Sequence, residues 1–358
     1  MALALSLGRR GQGNTWPNPA VGCVIVKSGQ IIGRGWTAPG GRPHAETQAL
    51  AQAGAEARGA DVFVTLEPCS HHGQTPPCAQ ALIAAGVGRV VVALTDSDPR
   101  VDGAGLAQLR AAGIRVDTGV AEHEARRDHE GFLSRIEQGR PMVTLKLAMS
   151  FDGRIATATG ESRWITQAPA RRQVHAMRAR HDAVMVGGGT LRADDPALDV
   201  REMGVLRQPA RVVISRRLDL PLTCKLAQTA DTVPLILCHG TDAPPALVAA
   251  WAGMGAQMLA CKTAGGQLDL GDVLAQLGAQ GLTRVFSEGG SAIAASLLQA
   301  DLVDHLVGFG AGLVIGAEGL PAIGAMGLAR LAHAPRFDLV HTQAVGPDVM
   351  HHWQRKRP

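Results

Sequence analysis

The apolar positions of this chain switch repeatedly between short continuous runs and helical spacing. Residues 21–26 form one apolar run and 31–36 a second; Ser28-Gly29 between them predicts a β-hairpin. Ala45, Ala49, Leu50 and Ala53 then recur at helical spacing until Gly54, which predicts a helix over 44–54. A strand follows at 62–66, and a helix over 78–86 opens behind Pro76 and Pro77 and stops at Gly86. Strand 90–94, helix 106–112, strand 114–116 and helix 121–138 continue the alternation. Ahead of it all, 2–10 reads as a short helix and Trp16-Pro17-Asn18-Pro19 as a turn, where two prolines forbid a regular element. Such alternation predicts a mixed sheet covered by helices.

Gly139-Arg140-Pro141 interrupts the pattern, which places a domain boundary there: 1–139 and 140–358. Beyond it, 142–149 is an apolar strand carrying Lys146, 168–180 a helix and 183–186 a strand leading into Gly187-Gly188-Gly189-Thr190. Strand 211–214 is followed by alternating elements over 220–280. Strand 284–287 runs into Glu288-Gly289-Gly290-Ser291 and helix 292–300; 303–309 and 337–353 read as closing strands. Two glycine-rich strand-to-helix turns suit phosphate, because bare backbone N–H groups can approach an anion there. Neither is G-x-G-x-x-G, so the dinucleotide fingerprint of a Rossmann fold is absent, and such turns also serve tight packing alone.

Composition excludes more than it identifies. The chain has 358 residues, 35 basic against 31 acidic, and aromatics at 3%. There is no basic block or tail, so nucleic acid is not the expected partner. The start, Met-Ala-Leu-Ala-Leu-Ser-Leu-Gly-Arg-Arg, has its charge after the apolar run, the wrong order for a secretory leader, and no apolar stretch reaches spanning length. A cytoplasmic enzyme is expected, as a homo-oligomer. The cysteines are too dispersed for a disulfide scaffold; Cys23, Cys224, Cys238 and Cys261 read as buried thiols.

Cys69 and Cys78 read differently. His-Ala-Glu at 44–46 and Glu-Pro-Cys-Ser-His-His-Gly-Gln-Thr-Pro-Pro-Cys at 67–78 supply one imidazole, two thiols and a spare carboxylate. That set fits a catalytic zinc ion: His44, Cys69 and Cys78 as ligands, with the fourth position left to water. Zinc lowers the pKa of that water, and Glu46, which is not a ligand, can carry its proton to a leaving nitrogen. Residues two apart on a helix do not face each other, so His44 and Glu46 can share a site only at a helix start. Alone, a His or a Cys is usually structural; four such groups at strand ends and helix starts make that reading improbable. The short deaminase signature P-C-x-x-C is not matched, since the second cysteine lies nine residues on.

The longer form, P-C-S-H-x-G-x-T-P-P-C after P-N-P-A-V-G-C-V at 17–24, resembles the bifunctional riboflavin-biosynthesis deaminase/reductases, and so do L-K-L-A-M-S-F-D-G from Leu145 and G-E-S-R-W-I-T at 160–166. The resemblance implies a cytidine-deaminase-like three-layer domain followed by a dihydrofolate-reductase-like α/β domain. It implies Zn2+ and NADPH as cofactors and a phosphorylated pyrimidine as substrate. Asn18 and His71 would then line the deaminase pocket. Lys146, Ser162, Arg178, Leu198, Arg201 and Glu288 would meet the substrate in the second half; Ala148, Trp164, Thr190, Asp194, Gly290 and Ser291 would meet the cofactor. Two departures stand out. Gln74 occupies a position that often carries a basic residue in the family, and Ser215-Arg216-Arg217 replaces the usual Asp-Ser. Arg216 or Arg217 is therefore assigned to the 2′-phosphate of NADPH.

Two other classes compete. A deaminase of nucleic-acid bases would share the zinc motif but should show a basic surface and aromatic platforms. A non-catalytic zinc scaffold would have no use for Glu46.

Overall fold

The computed structural model describes residues 1–71, 76–98, 102–205 and 207–356. The chain divides into two compact units, Met1–Arg140 with Gln280–Thr283, and Pro141–Ala279 with Arg284–Pro358.

The first unit begins with α1 (Ala2–Gly8), followed by the hairpin β1 (Gly22–Lys27) and β2 (Gln30–Trp36) and by α2 (Ala45–Ala53). Then come β3 (Asp61–Val64), α3 (Cys78–Ala85), β4 (Arg89–Val92), α4 (Ala104–Ala111), β5 (Arg115–Thr118) and α5 (Glu122–Gln138). The sheet runs β2-β1-β3-β4-β5; β1 is antiparallel to β2 and β3, and β3, β4 and β5 are parallel. Its core is aliphatic: Ile25, Val62, Val64, Leu82, Val90, Val92 and Leu109 are buried with Ala45 and Ala49 of α2. Glycine sets how closely α2 can sit. A Cβ on Gly35 would lie 2.1 Å from the Ala45 carbonyl oxygen, so helix and strand touch by their backbones. Strand 62–66 is shorter than expected and stops at Val64, because Thr65 turns its hydroxyl to accept the Gly22 N–H (3.1 Å).

The second unit contains β6 (Met142–Ser150), β7 (Arg154–Ala156), α6 (Ala168–Arg178), β8 (Ala183–Gly187), α7 (Gly188–Asp194), β9 (Ala210–Ile214), α8 (Lys225–Gln228), β10 (Leu235–Gly240), α9 (Pro245–Gly253) and β11 (Gln257–Cys261). A small hairpin, β12 (Thr263–Ala264) and β13 (Gln267–Leu268), precedes α10 (Leu270–Ala279), β14 (Arg284–Ser287), α11 (Ser291–Gln299), β15 (His305–Ala311), β16 (Leu320–Pro321), β17 (Phe337–Val345) and β18 (Asp348–Arg355). The nine-stranded sheet runs β11-β10-β9-β8-β14-β6-β15-β18-β17. It is parallel from β11 to β15, and β18 and β17 close it antiparallel. The chain leaves β6 for β8 and later returns β14 between them, so the strand order reverses there. Open α/β sheets bind ligands at the carboxyl ends of the strands flanking such a reversal.

Two boundaries differ from the sequence reading for visible reasons. Helix 168–180 ends at Arg178, because Arg180 N–H and His181 N–H turn back to the carbonyls three residues earlier. Strand 303–309 begins only at His305, since the Asp304 carboxylate accepts the Val143 N–H at 2.8 Å in place of a ladder bond. Among the described residues no helix is long and apolar enough to cross a membrane.

His181 is buried with both ring nitrogens occupied: Nδ1 lies 2.7 Å from the Met177 carbonyl and Nε2 2.9 Å from the Thr144 hydroxyl. The neutral ring fits that arrangement, donating at Nδ1 and accepting at Nε2. Burial, and then the charges of Arg284, His305 and Arg180, hold its pKa down to about 3 against the Met177 carbonyl. Folding therefore excludes a proton that the unfolded chain binds below its ordinary value of 6.5. The stabilisation is complete above that value and is lost as pH falls toward the folded value, at up to about 1.4 kcal/mol per pH unit. In urea unfolding between pH 4 and 6, His181→Gln is expected to show a shallower dependence on pH than the parent protein, by about one proton. Equal slopes would remove His181 from the linkage.

Candidate active site

Three elements of the first unit bring the metal-ligand candidates together. His44 is the residue before α2, with extended backbone (φ −70°, ψ 162°), so its ring is not bound to the helical direction. Glu46 lies in the first turn of that helix and is buried. This is the helix-start geometry that a pair two residues apart requires. Cys69 follows β3 after Glu67-Pro68, and Cys78 opens α3 behind Pro77. The ligand atoms of His44, Cys69 and Cys78 lie within 4.8 Å of one another, the one such His/Cys/Asp/Glu group among the described residues.

The spacing suits zinc. Tetrahedral Zn–N and Zn–S bonds put a nitrogen and a sulfur ligand about 3.6 Å apart. His44 Nδ1 is 3.3 Å from Cys78 Sγ and 3.7 Å from Cys69 Sγ. The backbone N–H of Cys78 donates to Cys69 Sγ at 3.3 Å, as a helix N-terminus does for an anion. The hydrogen bond from Cys78 holds the Cys69 thiol down to about 4, while that bond and burial push Cys78 up. A divalent cation binds thiolates, so metal binding at this pair would release protons. Burial, and then the Cys69 charge, raises Glu46 to about 7.

The site opens on a cavity of about 560 Å³ lined by, among others, Asn18, Arg42, His44, Glu46, Cys69 and His71. Asn18 donates its amide to the Gly41 carbonyl at 2.9 Å, so the turn role and the pocket position coincide in one residue. His71 is exposed at the wall; Gln74 and His72 lie outside the described residues. Sequence reasoning missed Glu67. Its carboxylate accepts the N–H groups of Asp96 (3.3 Å), Gly103 (3.1 Å), Gly105 (3.0 Å) and Leu106 (3.3 Å), tying Asp96 and the start of α4 to the residue two before Cys69. Its place at a strand end, ahead of a glycine-rich loop and a helix, was the available signal.

In the second unit the candidates fall into groups near the carboxyl ends of β6, β8 and β14. Lys146 is on an interior strand, not an edge, and its Nζ is 3.6 Å from Glu288 Oε2. Arg178 Nε donates to Glu288 Oε1 at 2.5 Å, and its Nη1 donates to the Asp199 carbonyl at 2.8 Å. These three side chains are only 16%, 13% and 11% exposed for Lys146, Arg178 and Glu288 respectively. The two cations outweigh burial and hold the Glu288 carboxyl below its usual range. Leu198 and Arg201 belong to the same segment as Asp199, Leu198 within the core formed with Val184 and Leu191. Leu198 is buried at φ +54°, a left-handed backbone unusual for a branched residue, and Arg201 pairs with Asp199 at 3.4 Å.

The cofactor candidates form smaller sets. Thr190 Oγ1 would be 3.7 Å from a Cβ built on Gly290, so the two glycine-rich turns meet, with Ser291 at the start of α11. Gly187 and Gly289 have a packing reason as well, because Ile293 fills the space a Cβ would need at each. Arg163 donates to the Asp194 carbonyl at 3.0 Å and so fastens the Ser162–Trp164 segment to the end of α7. Trp164 is 64% exposed, with the Arg171 guanidinium 4.3 Å from its ring centroid. Ala148 lies in the last half of β6 beside the Phe309 cluster. Arg216 is already engaged, with Asp242 at 2.7 Å and the Gly266 carbonyl at 2.7 Å, whereas Arg217 is exposed.

Comparison with known proteins agrees with both halves. Residues 1–94 match the cytidine and deoxycytidylate deaminase zinc-binding region, and 141–351 match the RibD C-terminal domain. The Escherichia coli riboflavin biosynthesis protein RibD is 43% identical, over 98% of this chain and 97% of that one. The structure of Acinetobacter baumannii RibD, form 1, superposes with a TM-score of 0.90 at 38% identity, covering 99% of this chain and 98% of that one. A Thermotoga maritima diaminohydroxyphosphoribosylaminopyrimidine deaminase/5-amino-6-(5-phosphoribosylamino)uracil reductase gives a TM-score of 0.87 at 32% identity, with 99% and 97% covered. Likeness at these levels, over both units, means that the chain belongs to the RibD family of riboflavin-biosynthesis proteins.

Proposed function

We propose that this bifunctional deaminase/reductase acts first on 2,5-diamino-6-(5-phosphoribosylamino)pyrimidin-4(3H)-one, releasing ammonia, and then reduces the ribosyl chain of the product to ribityl. The observation that carries the first step is a buried carboxyl, Glu46, beside a His/Cys/Cys cluster in the wall of a cavity. Zinc, when bound, lowers the pKa of a water toward neutrality and so supplies the nucleophile. His44, Cys69 and Cys78 would hold the ion. Glu46, buried beside them, would take the proton from that water and pass it to the departing amino group. Asn18 and His71 orient the ring.

In the reductase half NADPH, when bound, supplies a hydride. Lys146, Arg178, Arg201 and Glu288 bind and orient the ribose phosphate, with Ser162 and Leu198 beside them. Ala148, Trp164, Thr190, Asp194, Gly290 and Ser291 seat the cofactor. The domain boundary falls at residues 139–140, the location is cytoplasmic, the protein is a homo-oligomer, and nucleic acid and membranes are not partners.

Chelating the zinc should abolish ammonia release while NADPH oxidation with the deaminated substrate continues; joint loss of both activities would contradict the division of labour. Cys69→Ser and Cys78→Ser should bring bound zinc well below one ion per chain. Glu46→Gln should keep its zinc, measured by atomic absorption, yet lose about 10²–10⁴-fold in kcat for ammonia release. A variant that retains full activity would exclude Glu46 as the proton carrier. For the cofactor, Arg217→Ala should lower the NADPH/NADH ratio of kcat/KM by about tenfold. Arg216→Ala should lower it less, because Asp242 already occupies that guanidinium. A ratio unchanged in both variants removes the 2′-phosphate assignment.

A further inference from the structure

Residues 198–201 have no regular secondary structure, yet their backbone is closely held. Two left-handed residues bracket the segment, Leu198 at φ +54° and Glu202 at φ +58°. That conformation costs free energy in a residue with a side chain and persists only where neighbours fix it. Leu198 and Val200 are buried, while Asp199 and Arg201, alternating with them, are more exposed. Three side chains serve backbone groups that a neighbouring strand would otherwise satisfy. Arg178 Nη1 donates to the Asp199 carbonyl at 2.8 Å. Gln208, two residues ahead of β9, closes on both polar groups of Val200: its Oε1 accepts the N–H at 2.7 Å and its Nε2 donates to the carbonyl at 3.0 Å. His175 Nδ1 accepts the Arg201 N–H at 3.3 Å. The same nitrogen is 3.2 Å from the Asp199 carbonyl, to which only a protonated Nδ1 could donate. Burial, and then the charges of Arg178 and Arg201, hold the His175 pKa below its ordinary value against Asp199. The neutral ring is thereby favoured, the form in which Nδ1 can accept.

The consequence falls on two guanidinium groups. Arg201 grows from the backbone that His175 and Gln208 hold, and Arg178 is braced against the Asp199 carbonyl of the same segment. His175 lies three residues before Arg178 on α6, so both reach the segment from one helix face. We propose that His175 and Gln208 are positioning residues for the reductase substrate: they fix residues 199–201 to α6 and to the entry of β9, and so set where Arg178 and Arg201 present their guanidinium groups. This rests on the reading that those two arginines bind the ribose phosphate. Each residue acts through backbone, His175 through Arg201 and Gln208 through Val200.

The test follows NADPH oxidation by the zinc-loaded full chain with the deaminated substrate. His175→Leu and Gln208→Met remove the hydrogen bonds and keep most of the bulk. Each should raise KM for that substrate by about 3–10-fold, with kcat and KM for NADPH little changed, as expected for loss of uniform binding. His175→Asn, whose Oδ1 can accept where Nδ1 does, should return KM toward the parent value, a rescue that a purely stabilising role would not give. KM for NADPH also reports folding of the second unit; should His175→Leu fail to fold, His175→Asn and Gln208→Met carry the comparison with the parent. Arg201→Gln is the reference for phosphate binding. If it raises KM while either His175→Leu or Gln208→Met leaves KM at the parent value, or if His175→Asn is as impaired as His175→Leu, the proposal alone is overturned. If Arg201→Gln leaves KM unchanged, the phosphate-binding reading falls, and the proposal with it.

Discussion

A backbone N–H meets a sulfur where α3 begins, and the geometry of the deaminase half depends on that contact. Cys78 N donates to Cys69 Sγ, which fixes the end of one strand against the start of one helix. His44 enters from the start of a second helix, held close to β2 because Gly35 has no side chain. No ligand is placed by its own rotamer alone. Each sits at an element terminus whose position is set by sheet packing, and this is why a three-ligand cluster survives on a scaffold of aliphatic residues. Glu67 extends the same logic: four amides converge on its buried carboxylate, which joins Asp96 and the start of α4 to the segment that carries Cys69.

Much of this was legible in the sequence. The ligands and Glu46 form a long ordered motif whose residue types have few other uses, and the alternation of apolar runs with helical spacing marks most elements within a few residues. Glu67 was marked only by its place at a strand end, because its partners are backbone amides 29 to 39 residues away, which leave no mark in side-chain identity.

The reductase half was harder to read, because its groups gather by topology instead of by motif. Lys146 and Glu288 are far apart in sequence and become neighbours because β14 inserts beside β6. The sequence could say that a lysine within an apolar strand needs a partner; it could not say which one. The glycine-rich turns were ambiguous for a different reason. Gly187 and Gly289 are explained by the close approach of Ile293, so phosphate binding cannot be read from the glycines alone. Arg216 shows the opposite case, a conspicuous residue whose guanidinium the fold has already committed to Asp242 and Gly266.

The cluster of Lys146, Arg178 and Glu288 bears on function more than on stability. Taking ions out of water costs several kcal/mol each, and their mutual attraction often does no better than break even with apolar side chains of similar size. A β6–β14 seam built only for stability would serve as well with leucine and methionine at these positions. The trio carries one net positive charge in a low-dielectric setting, with Glu288 ionised between two cations. The Asp199 carboxylate, which also acts on Arg178, offsets part of that surplus, and a phosphate bound there as proposed would meet groups already oriented by Glu288 and by the Asp199 carbonyl. Preorganisation of this kind lowers the ordering cost of binding, which is the sense in which a thermodynamically indifferent ion cluster becomes useful at a crevice.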